Sequence, residues 1–121
     1  MQRVCFQLQV RASRLDEYRK RHSPVSREML AEIAASGRTN YSLFVRPDGL
    51  LIGYYETEDV AASDRYLADS AVASAWEAEM APFFDALDGR ADEHALILGE
   101  IFNLENQLTT TSETPARQDT P

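Results

Sequence analysis

The sequence predicts an α+β fold with one four-stranded antiparallel sheet and helices on one of its faces. Apolar and polar residues alternate strictly over residues 3–10, and two further strand-like segments flank a strong turn signal at residues 46–49. Between and after these segments, apolar residues recur at helical spacing. The resulting order, β-α-β-β-α-β, is typical of the ferredoxin-like or split-βαβ fold.

The first strand is predicted over residues 3–10 because its apolar residues fall on one face and its polar residues on the other. The apolar face consists of Val4, Phe6, Leu8 and Val10. Ser13 followed three residues later by Asp16 resembles a capping box and predicts the start of a helix. We therefore expect a helix directly after the first strand.

In that helix, Tyr18 and His22 are four residues apart and share one face. Pro24 cannot continue the helix, so His22 falls in its last turn, beside a break. An imidazole there can accept and donate a proton near neutral pH, and the phenol can hydrogen-bond a polyol. The same spacing also fits a core-facing stripe of Leu15, Tyr18 and His22, so spacing alone leaves both roles open.

After the break, Ser23 is predicted to cap a second helical segment with Pro24 in its first position and Gly37 at its end. Strands are then predicted over residues 40–45 and 50–56. They form a hairpin because Pro47 presets φ in the turn and Gly49 accepts a positive φ. Tyr41 lies at the start of this hairpin, at a sheet end where pockets often open.

A helix is predicted over residues 58–70, and Ser70 is placed to cap a further helix that Pro82 ends or kinks. The apolar stripe of this further helix consists of Val72, Trp76, Met80 and Phe83 or Phe84. By spacing alone, Trp76 belongs to the core. A polar, turn-like segment containing His94 follows over residues 85–94, and the last strand is predicted over residues 96–102.

Residues 1–104 are predicted to form a single domain and residues 105–121 a disordered tail. The tail is rich in Thr, Ser, Gln, Glu and Pro, so burial cannot offset the entropy lost on ordering it.

The sheet face without helices is expected to be too apolar for water. The residues expected there are Cys5, Phe44, Leu51, Tyr55, Ile97 and Ile101. Two such sheets packed face to face would cover them, which predicts a homodimer of the dimeric α/β-barrel type.

Composition excludes several classes of function. The 121-residue chain carries a formal net charge of −8, which argues against nucleic acid or an anionic membrane surface as a partner. No apolar run approaches the ~20 residues of a membrane span. Cys5 is the single cysteine and cannot form an internal disulfide, which fits a cytoplasmic location. Two histidines and one cysteine match no metal-ligand spacing, so neither a metal nor another cofactor is predicted.

Residues 18–24, Tyr-Arg-Lys-Arg-His-Ser-Pro, resemble the Tyr-x-x-Arg/Lys-His-x-Pro segment of the L-rhamnose mutarotase family. Asn40-Tyr41 and Trp76 support the resemblance, which covers roughly residues 1–104. It implies a small dimeric isomerase that interconverts the α and β pyranose anomers of L-rhamnose without a cofactor. By this resemblance His22 is the proton donor, and Tyr18, Tyr41 and Trp76 contact the sugar.

Two departures from the family pattern bear on the substrate. The family usually has a second tryptophan directly after Trp76, where this chain has Glu77, and a tryptophan-proline pair where this chain has Val25-Ser26-Arg27. A pocket with less aromatic surface and an added carboxylate favours a related deoxyhexose as a substrate in addition to L-rhamnose. Glu77 is then expected among the residues that contact the sugar.

Two other functions remain open on the same fold. A cofactor-independent monooxygenase or small lyase would need a larger, more apolar cavity around His22. In a metabolite-binding or regulatory module, His22 would hydrogen-bond a ligand without catalysing a reaction.

Overall fold

The computed structural model describes residues 1–84 and 90–113. The strands are β1 (Gln2–Gln9), β2 (Thr39–Val45), β3 (Leu50–Thr57) and β4 (Leu96–Leu98). The helices are α1 (Leu15–Arg21), α2 (Arg27–Ala35), α3 (Val60–Asp69), α4 (Ala71–Met80), α5 (Ala91–His94) and α6 (Leu104–Glu113). The predicted order β-α-β-β-α-β is confirmed, with each helical part divided into two or more helices.

The four strands form one antiparallel sheet in the order β2-β3-β1-β4. This is the ferredoxin-like arrangement, in which β1 and β3 are central. Phe6 in β1 pairs with Gly53 in β3 and with Ile97 in β4. Position 53 accommodates only glycine, because a Cβ atom there would lie 2.1 Å from the Phe6 ring. The end of the Phe6 ring therefore occupies the space above Gly53.

The helices cover one face of the sheet, and the main core lies between them and the apolar face of β1. That face is buried as predicted, from 9 % exposure at Val4 to full burial at Val10. Leu15 and Tyr18 of α1 pack on it from the helical side, with Phe83 and Phe84 from the turn after α4. A smaller cluster of Met29, Leu67 and Ala73 joins the helices to one another.

The register corrects the predicted composition of the uncovered face. Residues paired directly across an antiparallel sheet share a face, and Leu51 pairs with Leu8, Tyr55 with Val4. Leu51 and Tyr55 are therefore on the covered face and are buried. Ile97 is on the same face because it pairs with Phe6. The apolar and aromatic residues of the uncovered face, here called the outer face, are Cys5, Phe44, Ile52, Tyr54, Leu96 and Leu98.

Two of the three predicted helix caps are wrong. Ser13 lies in a short 3-10 turn (Ala12–Arg14), and α1 begins after Arg14 without a side-chain cap. The helix after the break begins three residues later than predicted, where the Ser26 hydroxyl accepts a hydrogen bond from the Met29 backbone N–H at 3.2 Å. The third prediction is confirmed, since the Ser70 hydroxyl accepts from the Ala73 N–H at 3.0 Å and starts α4.

In the second half of the chain, the burial of two side chains and the length of the last strand differ from prediction. Val72 is 37 % exposed, and Ala73, next to it on α4, is buried in its place. The last strand ends at Leu98 because β4 pairs with β1 only through Leu96, Ile97 and Leu98. Beyond it Ile101 is almost fully exposed, so it is on neither sheet face.

The predicted polar tail begins with a helix. Helix α6 covers Leu104–Glu113, where the sequence predicts disorder from residue 105. Its start is explained by Asn103, whose side-chain oxygen accepts a hydrogen bond from the Asn106 backbone N–H at 2.9 Å. Residues 114–121 of the predicted tail, and residues 85–89 of the predicted turn-like segment, lie outside the described residues.

Candidate active site

A cavity of about 690 Å³ lies between the covered face of the sheet and the helices. This volume falls within the ~300–1,000 Å³ that is usual for small-molecule sites. Phe6, Tyr41 and Tyr55 line it from the sheet. All five side chains singled out in the sequence line it as well: Tyr18, His22, Tyr41, Trp76 and Glu77. They come from three separate parts of the chain.

His22 lies directly after the last residue of α1, at the break before α2. Its Nδ1 atom is 2.8 Å from the backbone carbonyl oxygen of Tyr18. A carbonyl oxygen can only accept a hydrogen bond, so Nδ1 carries the proton and donates it. In the neutral ring, Nε2 is then the atom with a free lone pair. The break in the helix thus holds the imidazole in one tautomer.

Two aromatic rings flank the imidazole. The Tyr18 and His22 ring centroids are 4.3 Å apart, and the Trp76 ring meets His22 edge-on at 5.2 Å. Burial lowers the pKa of His22 below its ordinary value of 6.5, although the hydrogen bond to Tyr18 acts in the opposite direction. His22 is therefore neutral at pH 7 and able to accept a proton.

Tyr18 and Tyr41 place two phenols at the cavity. Burial raises the pKa of Tyr41 to about 12 and that of Tyr18 further still. Both phenols are thus protonated at every physiological pH and can donate a hydrogen bond to a ligand oxygen.

Tyr41 reaches the cavity through an irregularity in β2. The pairing of β2 with β3 shifts register between Thr39 and Ser42, and Asn40 adopts a positive φ of 49°. Such irregularities change the direction in which a strand side chain points. The Tyr41 ring packs on Tyr55 at 5.3 Å and edge-on against Phe6 at 6.4 Å.

Trp76 and Glu77 are consecutive residues of α4, and both are half-buried. Burial, helped by the charge of Asp92, raises the pKa of Glu77 to about 7. The Glu77 Oε1 atom accepts a hydrogen bond from the Asp92 backbone N–H at 3.2 Å. The carboxyl group is therefore held at the cavity wall, and near neutral pH both its protonated and its ionised forms are populated.

Two arginine–aspartate pairs, which the sequence does not single out, also line the cavity. Arg38 binds Asp64 of α3 at 2.6 Å, and its guanidinium lies 4.1 Å from the centroid of the Tyr55 ring. Arg90 donates to both oxygens of Asp92, at 3.0 and 2.8 Å. The twelve Lys and Arg residues of the chain carry no pattern that separates these two from the others. Only the fold brings them to the site.

The described residues offer neither a metal site nor a membrane-spanning helix. In residues 1–84 and 90–113, no group of three or more His, Cys, Asp or Glu side chains is placed to hold a metal ion. Among the helices of those same ranges, none has the length and apolar character needed to cross a membrane.

Comparison with known proteins assigns the chain to a family. Residues 3–104 match the family model for L-rhamnose mutarotase. The chain is 32 % identical to an L-rhamnose mutarotase from Listeria monocytogenes over 105 residues, which are 86 % of this chain and 99 % of that one. It is 31 % identical to one from Bacillus subtilis over 106 residues, 87 % of this chain and 100 % of that one.

A solved structure agrees with this assignment at the level of the fold. The crystal structure of an L-rhamnose mutarotase from Formosa agariphila superimposes with a TM-score of 0.72 at 18 % identity, covering 86 % of this chain and 99 % of that one. The resemblance noted in residues 18–24, at Tyr41 and at Trp76 thus extends over the whole domain. The chain belongs to the L-rhamnose mutarotase family.

Proposed function

We propose that this protein is a sugar mutarotase that interconverts the α and β pyranose anomers of L-rhamnose, or of a related deoxyhexose, by opening and reclosing the ring. Family membership supports the type of reaction. The observation that carries the proposal is the convergence of the Tyr18–His22 pair, Tyr41 and Trp76 on one cavity, because these come from three separate parts of the chain.

His22 is proposed as the base that starts the reaction, and the imidazolium that it forms is then the proton donor that the resemblance implies. Mutarotation begins when a proton leaves the anomeric hydroxyl, the bond between the anomeric carbon and the ring oxygen breaks, and the ring oxygen gains a proton. The free aldehyde then rotates about one bond and closes on its other face. A neutral imidazole with Nε2 unprotonated is suited to the first transfer. Positioned acid–base help is typically worth ~10²–10⁴-fold, which suffices for a reaction that water already allows slowly.

The aromatic side chains are proposed to hold the sugar. Trp76 presents a ring against which the C–H face and methyl group of a deoxyhexose can pack. The Tyr18 and Tyr41 phenols, protonated at all physiological pH values, are placed to donate hydrogen bonds to sugar oxygens. Glu77 supplies a polar group at the position where the family usually has a second tryptophan, which makes this part of the cavity wall less apolar. L-rhamnose and L-fucose are therefore both substrates to test.

The proposal is tested by measuring anomer exchange of L-rhamnose and L-fucose with saturation-transfer NMR. The wild-type protein should accelerate exchange of at least one sugar, and His22→Ala should reduce kcat about 10²-fold or more. His94→Ala is the matched control, since His94 is the other histidine of the chain, is exposed and does not line the cavity.

Two outcomes would contradict this proposal. If the wild-type protein leaves both exchange rates at the buffer value, the substrate assignment is wrong. If calorimetry then shows tight sugar binding without exchange, the protein is a metabolite-binding module. Equal loss of activity in His22→Ala and His94→Ala would remove the role proposed for His22.

We further propose that two copies of the chain pack through the outer face. Phe44 and Leu96 on this face are 64 % and 62 % exposed, and such apolar area is usually covered in a soluble protein. Phe44→Glu puts a charge on the outer face, on strand β2, and should shift the sedimentation coefficient from that of a dimer to that of a monomer. A wild-type chain that sediments as a monomer would disprove the assembly.

A cytoplasmic location is also proposed, on the state of one residue. Cys5 is a free thiol, and free thiols persist in reducing compartments. Cell fractionation followed by immunoblotting would test it, and recovery in an extracytoplasmic fraction would contradict it.

A further inference from the structure

Ring opening needs two proton transfers, and His22 accounts for one of them. We propose that Glu77 is the second proton-transfer group, which as a carboxylic acid donates its proton to the ring oxygen while His22 takes the proton of the anomeric hydroxyl. This inference rests on the proposed function and deepens it. It gives Glu77 a chemical role beyond the sugar contact expected from the sequence.

The first support is position. Glu77 and His22 line the same cavity, Glu77 from α4 directly after Trp76 and His22 from the end of α1. Burial is the main cause of the raised pKa of both Tyr18 and Tyr41, and the charge of Glu77 adds to it at each phenol. The carboxyl group is thus near enough for its charge to act on both phenols that are proposed to bind the sugar.

The second support is the bonding of the other carboxylates at the cavity. Asp64 is bound to Arg38, and Asp92 receives two hydrogen bonds from Arg90, so neither is available as an acid. Glu93 is exposed on α5. Within the part of the chain that the structure describes, Glu77 forms no ion pair with an arginine or lysine. Of the carboxyl groups that line the cavity in the described residues, Glu77 is therefore the one that is half-buried without a paired cation, whereas Asp64, Asp92 and Glu93 are exposed.

The third support is the protonation state that the surroundings allow. Burial and the neighbouring Asp92 raise the pKa of Glu77, while the backbone N–H of Asp92 and the charge of Arg90 lower it less, which leaves a value of about 7. The other titratable groups that line the cavity are the neutral His22, the protonated Tyr18, Tyr41 and Tyr55, the Arg38–Asp64 pair, Arg90 and Glu93. A substantial share of Glu77 is consequently protonated at neutral pH, while His22 is unprotonated.

These two states are the pair that ring opening requires. The anomeric O–H proton passes to Nε2 of His22, the bond between the anomeric carbon and the ring oxygen breaks, and the Glu77 proton passes to that ring oxygen. The open form then stands beside an imidazolium and a carboxylate. Closure returns the ring-oxygen proton to Glu77 and the imidazolium proton to the anomeric oxygen, so no proton is gained or lost overall.

The inference is tested by the pH dependence of kcat in the wild-type protein and in Glu77→Gln. The wild-type rate should rise with pH as His22 loses its proton and fall again above about pH 7 as Glu77 ionises. Glu77→Gln keeps the size and hydrogen bonding of the acid form without a transferable proton. It should lower kcat about 10²-fold at pH 6 and abolish the decline at alkaline pH. Glu28→Gln, the same change at an exposed position of α2, should behave as wild type.

Two results would overturn the role of Glu77 and leave the proposed function standing. One is a Glu77→Gln rate within about twofold of wild type at every pH. The other is a uniformly lower rate that still declines above pH 7, which is the result expected of a merely structural residue. Absence of exchange in the wild-type protein would overturn the proposed function itself. Independently of activity, the carboxyl ¹³C signal of Glu77 should titrate near pH 7, and titration near the ordinary value of 4.5 would refute the inference.

Discussion

At the scale of single residues, the site depends on how one imidazole is oriented. The spacing of Tyr18 and His22 predicts that their side chains share a face, and the rings are indeed 4.3 Å apart. The hydrogen bond that selects the tautomer, however, is made by the backbone carbonyl of Tyr18. That carbonyl is available because the helix ends at Arg21, which follows from the break that Pro24 imposes. A local pattern thus predicts both the ring pair and the end of the helix, but not the bond itself.

Trp76 is expected to act on sugar binding more than on the chemical step. Its ring lies beside His22 and packs against both clusters of the core, so removing it altogether would also destabilise the fold. We therefore expect Trp76→Phe, which keeps an apolar ring, to raise KM about 2–10-fold with little change in kcat, as the loss of part of an aromatic contact of ~0.5–1.5 kcal/mol predicts. Steady-state exchange kinetics would measure this, and a drop in kcat at unchanged KM would contradict it.

At the scale of helices and strands, the limits of prediction are clearest at the helix starts. A serine before a helical pattern is a good cap only if its backbone adopts the required extended conformation. Ser70 and Ser26 do so, whereas Ser13 is taken into a 3-10 turn that follows the first strand directly. The side-chain type is visible in the sequence, but the path of the chain into the helix is decided by how β1 and α1 pack together.

Replacing two of these serines by alanine should separate a real cap from an apparent one. Ser70→Ala removes the acceptor for the Ala73 N–H at the start of α4 and also the hydrogen bond between Ser70 and Glu32. It should lower the free energy of unfolding by about 1–2 kcal/mol. Ser13→Ala should change it by less than ~0.5 kcal/mol, because Ser13 caps no helix. Urea denaturation of the two variants measures both values, and equal effects would contradict the assignment.

The same scale explains which parts of the site the sequence could predict. Tyr18, His22, Tyr41, Trp76 and Glu77 stand in or beside local motifs, and all five line the cavity. Arg38, which lies between α2 and β2, binds Asp64 of α3, and Arg90 reaches back to Ser74 on α4 at 3.0 Å. These partners are 26 and 16 residues apart. No local pattern marks them, because their pairing follows from helix packing.

At the scale of the whole molecule, the register between β1 and β3 decides which residues of β3 are on the covered face and which are on the outer face. The alternation of β1 predicts its buried face correctly, but β3 has apolar residues at Leu50, Leu51 and Ile52 in succession and does not show which face is which. Pairing with β1 directs Leu51 and Tyr55 to the helices and Ile52 and Tyr54 to the outer face. The covered face thereby forms the floor of the cavity, and the outer face is left for the proposed partner copy.

Protein stability should report the buried acid of the cavity as a dependence on pH. The pKa of Glu77 is raised from its ordinary value of 4.5 to about 7 in the folded protein. Between these two values the folded chain holds a proton that the unfolded chain has lost, so the free energy of unfolding falls as the pH rises through this window and levels off above it. His22 acts in the opposite direction, because its lowered pKa makes stability fall as the pH drops below 6.5.

The contribution of Glu77 can be isolated by comparison with Glu77→Gln, since His22 titrates equally in both proteins. The full difference between 4.5 and about 7 corresponds to about 3 kcal/mol. Glu77 is only half-buried, and solvent screening reduces this to about 1–2 kcal/mol. The wild-type free energy of unfolding minus that of Glu77→Gln should therefore decrease by that amount between pH 4.5 and pH 7.5, as measured by urea denaturation at each pH. A difference that stays constant, or increases with pH, would show that the carboxyl group ionises at least as freely in the cavity as in the unfolded chain.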